Sequence, residues 1–220
     1  MKIFLSYILD TNTPSYGNRK NFQITKDSNI DSGDLANDSS ICTTVHIGTH
    51  IDMPYHFYKN GQTIEFFHAD FWEFDKVIFI EYTFSELLIE NELINLLNNI
   101  VDVGYELLIV KTGMCYKRNE ERYWGENYGF SSKIAEFIRL KFPNIRVFGF
   151  DTISVTSFQY REMGKIAHKV FLDPVNPILL LEDMDLRGLS TNSKIQKIII
   201  SPLRIANCDG LPCTVIGELN

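Results

Sequence analysis

Short, continuous apolar runs through the middle of the chain alternate with segments whose apolar residues recur at helical spacing. The runs predict buried strands at 77–80, 107–110 and 146–150. Between them, one helix is predicted to begin near Ser85, and a second is predicted from a cap at Ser131 or Ser132 through Phe142. Buried strands that alternate with helices are typical of βα units, so we expect a parallel sheet here.

The two ends of the chain are richer in strands than the middle. Strand patterns occur at 2–9, 20–26, 41–52, 178–181, 198–200 and 213–216. A polar stretch at 28–40 predicts a loop, and residues 159–171 have a helical pattern. We therefore expect an α/β fold in which residues 1–220 form a single domain. Its mixed sheet would have a central parallel part, an antiparallel layer and helices on one side, in a swivelling β/β/α arrangement.

The composition narrows the class of protein. The chain has 220 residues, of which 45% are hydrophobic, and this is enough for one sizeable core. Its 21 Lys and Arg against 28 Asp and Glu give a net charge of −7, and no basic run is present, so we expect no nucleic-acid partner.

We also expect no membrane segment and no signal peptide, because the apolar runs are too short, and hence a cytoplasmic protein. The four cysteines form no CxxC pair, so a thiolate zinc site is not indicated.

The candidate chemistry is concentrated between His46 and His56. Three of the five histidines lie in these eleven residues, at positions 46, 50 and 56, together with Asp52. Neutral imidazole and carboxylate are the side chains that bind Zn²⁺ or Mn²⁺ in proteins. The stretch therefore predicts a metal site.

The local backbone must bend for this prediction to hold. Gly48 and the neighbouring threonines disfavour a helix, and Pro54 biases Met53 toward an extended backbone. A straight strand would place His46 and His50 about 13 Å apart, too far for two ligands of one ion. We therefore predict a strand that kinks at Gly48 and Thr49, because glycine reaches backbone conformations that other residues avoid.

The stretch from His46 to His56 is similar to the HxGTHxDxPxH signature of the putative cyclase superfamily. That superfamily includes bacterial kynurenine formamidases (arylformamidases) and isatin hydrolases. Weaker similarities to family patterns follow in order along the chain, at 10–16, 110–113, 149–154, 202–205 and 210–212. The resemblance therefore spans nearly the whole sequence.

The resemblance implies a set of site residues. It assigns His46, His50 and Asp52 to the metal and His56 to proton transfer. His168 and Glu182 would bind a second ion, bridged to the first by Asp52. Alternatives stay open: His56 could be a fourth ligand or a partner of Asp52, Asp52 could orient a histidine instead of binding metal, and Asp183 or Asp185 could replace Glu182.

Three positions depart from the family pattern and leave the substrate open. Lys111 and Thr214 stand where the family has arginines, and Thr156 stands where it often has an aspartate. An aromatic-rich stretch at 65–72 follows the signature, and Phe67 or Trp72 could stack on the ring of a substrate. The alternative for these two side chains is ordinary packing in the core.

The implied reaction is hydrolysis of a small non-peptide amide. Metal-bound hydroxide would attack the carbonyl carbon, and His56 would act as general acid and base. The family's best-known substrate is N-formylkynurenine, from tryptophan catabolism, which yields kynurenine and formate. Zn²⁺, as one or two ions, is the expected cofactor, and Mn²⁺ is the alternative. The expected partners are a small aromatic amide and a second copy of the chain in a homodimer.

Two other functions stay open at this point. The first is opening of a cyclic amide with Mn²⁺, as in isatin hydrolases. The second is binding of a metal or a small aromatic acid without turnover.

Overall fold

The structure is a computed structural model that describes residues 1–19 and 22–220. The strand predicted at 20–26 begins outside the described residues, and its described part forms a strand over Gln23–Ser28. Within the described ranges, no helix combines the length and the apolar character that crossing a membrane requires.

Strands and short helices alternate along the chain. The strands are β1 Lys2–Phe4, β2 Gln23–Ser28, β3 Asp38–Cys42, β4 His50–Asp52, β5 Glu73–Phe74, β6 Val77–Glu81, β7 Leu88–Ile89, β8 Leu107–Lys111, β9 Gly129–Phe130, β10 Val147–Phe150, β11 Leu179–Glu182, β12 Ile195–Pro202 and β13 Gly210–Leu219. The α-helices are α1 Asn91–Asn98, α2 Arg122–Gly125, α3 Ser132–Lys141 and α4 Arg161–Phe171.

One mixed sheet organises the described residues, in the strand order β5-β12-β13-β4-β11-β10-β8-β6, with β1 added along β13. The strands β11, β10, β8 and β6 are parallel to one another, whereas β4, β13, β12 and β5 pair antiparallel. Residues of β12 also contact β6, so the sheet is nearly closed. The expected α/β class, with a parallel centre and an antiparallel part, is confirmed.

The core lies around the parallel strands. β8, β10 and β11 are buried along their whole lengths, as expected for strands covered on both faces. α3 begins as the sequence predicts, because the Ser131 hydroxyl accepts a hydrogen bond from the Lys133 N–H. It contacts both α1 and α4, so these helices form one layer.

Two local predictions are wrong. The helix expected from Ser85 begins only at Asn91, because Leu88–Ile89 pairs with Gly129–Phe130 as the parallel ladder of β7 and β9. The single strand expected over 41–52 is also interrupted. Its first residues belong to β3, which pairs with β2 in a separate hairpin, and strand geometry resumes only at His50.

The position of β4 in the sheet brings the candidate residues together. β4 lies between β11 and β13, with Glu182 opposite His50 and Gly210 opposite Asp52. Asp209 therefore lies just before β13, beside the end of β4. α4 carries His168, which faces the same place from the helix layer.

Candidate metal centre

A sharp turn at Gly48 brings two histidines together. Gly48 has a φ of +57°, and a Cβ atom at this position would lie 2.2 Å from Leu9 Cδ2. The turn brings the rings of His46 and His50 to 5.3 Å between centroids. The predicted kink at Gly48 is therefore confirmed, and glycine is required there both for its φ and for the missing side chain.

Asp52 lies between two groups of histidines. Its Oδ1 is 2.8 Å from His46 Nδ1 and 3.4 Å from His50 Nε2, while its Oδ2 is 3.5 Å from His168 Nε2. The carboxylate is buried, and Oδ2 has no hydrogen-bond partner among the described residues. A buried carboxylate oxygen without a partner is costly, and a bound cation would remove that cost.

The two buried histidines are oriented by the backbone. His50 Nδ1 lies 2.8 Å from the Gly48 carbonyl oxygen, and His168 Nδ1 lies 2.9 Å from that of Gly164. Each carbonyl accepts a hydrogen bond from an Nδ1–H, which leaves the Nε2 lone pair directed at the carboxylates. Metal-binding histidines are held in this way, since the outer hydrogen bond fixes the tautomer and the ring angle.

Glu182 completes the cluster from the neighbouring strand. Its Oε2 is 3.4 Å from His50 Nε2, its Oε1 is 3.8 Å from His168 Nε2, and Val155 donates its N–H to Oε1 at 2.7 Å. The two alternative carboxylates have other partners. Asp183 binds Arg118 at 2.7 Å, and Asp185 binds Arg187 at 2.7 Å. Of the three, the structure brings Glu182 to the histidines.

His56 occupies the open side of the cluster, at the end of the short 3-10 turn Pro54–His56. Its ring lies 4.1 Å from that of His46 and 5.8 Å from that of His168, measured between centroids. Its Nδ1 is 3.0 Å from Asp209 Oδ2, and the same oxygen is 2.8 Å from His46 Nε2. The ring is partly exposed, so a ligand in the cavity can reach it.

Asp209 was not found by sequence analysis. It is a single aspartate in a loop, 153 residues after His56, and no local pattern distinguishes it from other loop aspartates. The available signal was its place directly before Gly210, at the start of the last family-like segment. Pairing of that segment with the histidine strand would have indicated the contact.

The carboxylates and histidines perturb one another's protonation. Burial disfavours a charged His46, but the negative charge of Asp52 and the hydrogen bond that the ring donates to Asp209 outweigh burial and raise its pKa to about 9. Burial likewise opposes ionisation of Asp52, yet His46 and His168 hold its pKa well below the usual range. The cluster therefore favours positive charge at its centre, which a divalent ion supplies.

The four histidines, Asp52 and Glu182 line one cavity of about 370 Å³. Phe57 stacks on His168 at 4.7 Å between ring centroids and forms part of the wall. Three cationic residues, Arg19, Arg161 and Lys165, also line it. The cavity can therefore hold a small molecule against the histidines.

Phe67 and Trp72 are not in the described lining of this cavity. Trp72 is buried in the core, and its ring centroid lies 4.9 Å from that of Phe71 and 5.8 Å from that of Phe67. Trp72 belongs to the hydrophobic core, and Phe67 packs against that core. The structure therefore does not bring these two rings to the histidines, and their contact with a substrate stays a prediction.

The comparisons with known proteins agree with this architecture. Isatin hydrolase A from Labrenzia aggregata, bound to benzyl benzoate, superposes with a TM-score of 0.81 at 21% identity, over 99% of this chain and 93% of that one. An isatin hydrolase bound to the product analogue thioisatinate gives 0.79 at 18% identity, over 100% and 92%. A predicted metal-dependent hydrolase from Bacillus stearothermophilus gives 0.76 at 19% identity, over 99% and 97%. At these identities the likeness establishes the fold.

The family is established by the sequence itself. Residues 3–157, more than half of the chain, match the family described as "Putative cyclase". That range includes the His46–His56 stretch, while β11 to β13 continue the same fold beyond it. The chain belongs to the cyclase family.

Proposed function

We propose that the protein is a metal-dependent hydrolase of a small non-peptide amide, with N-formylkynurenine as the leading substrate. The observation that carries the proposal is the buried Asp52 carboxylate. Its Oδ1 faces His46 and His50, and its unpartnered Oδ2 faces His168. A buried carboxylate with histidines on both sides is well placed to bind two adjacent cations, whereas without cations its burial would be costly.

The donor set fits the expected metals. His46, His50 and Asp52 would hold a first ion, and Asp52, His168 and Glu182 would hold a second. Imidazole and carboxylate suit Zn²⁺ and Mn²⁺ alike, and we propose Zn²⁺, with Mn²⁺ as the alternative. When bound, such an ion lowers the pKa of a water molecule and polarises an amide carbonyl.

The chain's own contribution to the reaction is proton transfer at His56. An amide nitrogen leaves poorly unless it is protonated, so a general acid is needed on the open side of the site. The ring of His56 lies there, and Asp209 accepts a hydrogen bond from its Nδ1 at 3.0 Å. That bond fixes the ring and leaves Nε2 available to exchange a proton with the substrate nitrogen.

A second candidate is opening of a cyclic amide with Mn²⁺. It is favoured by the likeness in fold to two isatin hydrolases and by the carboxylates among the proposed ligands. The two candidates share the metal and the His56 chemistry. They differ in the substrate, which must be tested directly.

The experiment combines metal analysis with a substrate panel. The purified protein is loaded with Zn²⁺ or Mn²⁺, its metal content is measured, and hydrolysis of N-formylkynurenine, simple aryl formamides and isatin is followed. We expect His56→Ala to lower kcat by about 10²–10⁴-fold while the metal content is retained. His68→Ala is the control, because His68 is an exposed histidine outside the lining of the cavity.

The outcomes separate the candidates. Turnover of formamides alone supports the formamidase, and turnover of isatin alone supports the cyclic-amide hydrolase. Metal binding without turnover of any of these amides would replace both with a binding protein. A protein that takes up no metal would remove the proposal altogether.

We also propose a homodimer. The support is the hairpin of β2 and β3, whose strands pair only with each other among the described residues and whose side chains are almost all exposed, including Ile24 and Ile41. An isolated two-stranded hairpin is marginal in water, so a second copy is a fitting partner. Light scattering should give twice the chain mass, and the double substitution Ile24→Ser with Ile41→Ser should reduce it. A monomeric wild type would refute the dimer.

A cytoplasmic location is part of the same proposal. All four cysteines are free thiols in the structure, as a reducing compartment allows. Fractionation of cells that express the full-length protein would test it.

A further inference from the structure

Three residues of α4 are aligned along the cavity. Arg161, Lys165 and His168 are spaced by four and then three positions, so they share one face of the helix, and all three line the cavity. At 1.5 Å per residue, Lys165 lies about 4.5 Å and Arg161 about 10.5 Å from His168 along the helix axis. One helix therefore carries a candidate metal ligand at one end of the cavity and cations toward the other.

Arg161 is a cation of the cavity wall that is available to a ligand. It forms no ion pair with any carboxylate in the described parts of the chain, whereas Lys165 Nζ is bound to Glu162 at 2.6 Å. The Arg161 guanidinium carbon lies 3.8 Å from the centroid of the Phe158 ring. Stacking on this ring restrains the guanidinium plane, and its N–H groups remain at the edge, beside the Tyr16 hydroxyl and the cavity.

A second polar group, the Tyr16 hydroxyl, lies in the same wall. The Tyr16 hydroxyl oxygen is buried and makes no hydrogen bond within the described residues, although Tyr16 lines the cavity. The Tyr16 ring packs at 5.7 Å from Phe158, the ring on which Arg161 stacks. Burial raises the pKa of Tyr16, and both the charge of Arg161 and its hydrogen-bonding approach to the hydroxyl oppose that rise, so the Arg161 guanidinium lies beside the hydroxyl oxygen. The hydroxyl proton is then left for an acceptor, and a buried donor is normally satisfied by water or a ligand.

We propose that Arg161 and the Tyr16 hydroxyl bind a carboxylate of the substrate at the end of the cavity remote from the scissile amide. This inference rests on the proposed amide hydrolysis and names the class of amide. The guanidinium donates charge-assisted hydrogen bonds to the carboxylate, and the tyrosine hydroxyl donates one more. The preferred substrate is then an anionic amide whose carboxylate lies several bonds from the reacting carbonyl, and a small neutral lactam is a poor fit.

The positive charge that remains available to a carboxylate lies away from the histidines. Asp52, Glu182 and Asp209 surround the histidines, so they would largely balance the charge of bound metal ions there. The opposite end has Arg161 in the first turn of α4, and the amino end of a helix adds positive potential. An anionic group is therefore favoured at Arg161, which leaves the amide facing His56.

The test uses a matched pair of substrates with the metal-loaded protein. The first is 4-formamidobenzoate, and the second is its neutral methyl ester. Arg161→Gln should raise KM for the carboxylate at least about tenfold, because the hydrogen bonds lost from the guanidinium are charge-assisted. KM for the ester should change less than about twofold. Arg122→Gln is the matched control, because Arg122 is exposed and outside the lining of the cavity.

Tyr16→Phe provides an independent measurement. The hydroxyl makes no regular hydrogen bond within residues 1–19 and 22–220, so its removal should leave the unfolding midpoint unchanged or slightly higher while KM for the carboxylate rises a few-fold. A hydroxyl that instead had an internal structural partner would lower the midpoint on removal. That result would count against the proposal.

Binding of an amide that resists hydrolysis separates this inference from the proposed function. Calorimetry compares 4-acetamidobenzoate with its methyl ester on wild type and Arg161→Gln. Selective loss of carboxylate affinity in the variant supports the anion site even if no amide is turned over. Equal affinity of both proteins for the carboxylate, or equal losses for acid and ester, would overturn it.

Discussion

Asp209 Oδ2 lies 3.0 Å from His56 Nδ1, although 153 positions separate the two residues. Folding creates this contact because β13 pairs along β4, which brings the loop before Gly210 to the end of the histidine stretch. The same oxygen contacts His46 at 2.8 Å. One aspartate therefore orients the proposed general acid and also contacts a proposed metal ligand.

Replacement of Asp209 by Asn should reduce activity about 10–100-fold, as is typical for partners that orient site histidines. The loss should fall mainly on kcat, since the ring of His56 would lose its fixed angle. Steady-state kinetics of the metal-loaded variant provide the measurement. Asp70→Asn is the control, because Asp70 is an exposed aspartate away from the cavity. Unchanged kcat in Asp209→Asn would mean that His56 does not need this partner.

Gly48→Ala should destabilise the fold and weaken metal binding together. The new methyl group would force the Leu9 side chain to shift and the residue would be held at a positive φ, for a combined cost of about 1–3 kcal/mol. Gly33→Ala is the matched control. Gly33 also has a positive φ, of +95°, but open space surrounds the position of its missing Cβ. Urea unfolding of both variants should therefore show the larger loss at Gly48, and equal losses would contradict the packing argument.

Conversion of Glu182, Asp183 and Asp185 to the corresponding amides should change metal content and stability differently at each position. Glu182→Gln should lower the metal stoichiometry, because this side chain faces His50 and His168. Asp183→Asn should instead cost about 3–5 kcal/mol of stability, since it leaves the largely buried Arg118 charge without its partner. Asp185→Asn should cost less than about 1 kcal/mol, because its ion pair with Arg187 is exposed.

Elemental analysis of the three variants measures their metal content, and chemical denaturation measures their free energies of unfolding. Asparagine tolerates the positive φ of Asp183, +51°, so the expected loss at that position reflects charge and not backbone strain. If Asp183→Asn lost the metal at unchanged stability, the assignment of Glu182 would be wrong.

Metal affinity should rise with pH. Without metal, the pKa of His46 is raised to about 9, so this ring carries a proton at neutral pH that a metal ion must displace. The raised pKa favours the protonated form below pH 9, and competition from the proton therefore weakens as the pH approaches that value. Apparent affinity for Zn²⁺ should increase up to about tenfold per pH unit between about pH 6 and pH 8.

Calorimetry in buffers with different ionisation enthalpies measures the protons released on binding. At least one proton per chain is expected at neutral pH. An affinity that does not change with pH, with no proton release, would exclude His46 as a ligand that titrates in this way.

The parts of the fold that were predicted correctly are those with a strong local pattern. The apolar runs at 77–80, 107–110 and 146–150 became β6, β8 and β10, and the Ser131 cap began α3. The kink at Gly48 could be predicted because two nearby ligands and a flexible residue admit few other backbone paths. Each of these features is determined by residues that are close together in the sequence.

The errors arise where distant pairing decides the structure. Leu88–Ile89 has an apolar pattern that suits a helix, but the pairing with Gly129–Phe130 makes it a strand. The strand β3 was divided between the predicted loop at 28–40 and the predicted strand at 41–52, because its polar residues do not alternate clearly with apolar ones. Asp209 was missed for a related reason, since its partners are brought to it by the order of strands in the sheet.

His168 and Arg161 belong to the same rigid helix, α4. Helical rise therefore sets the distance between the two ends of the cavity. One end would hold the reacting bond and the other would hold the negative charge, and the loops around the entrance do not change the distance between them. Loop motions can change how fast molecules enter or leave, but they leave this spacing unaltered. Substrates that are too short or too long would be rejected by geometry, and altering the preferred length would require an insertion or deletion within α4.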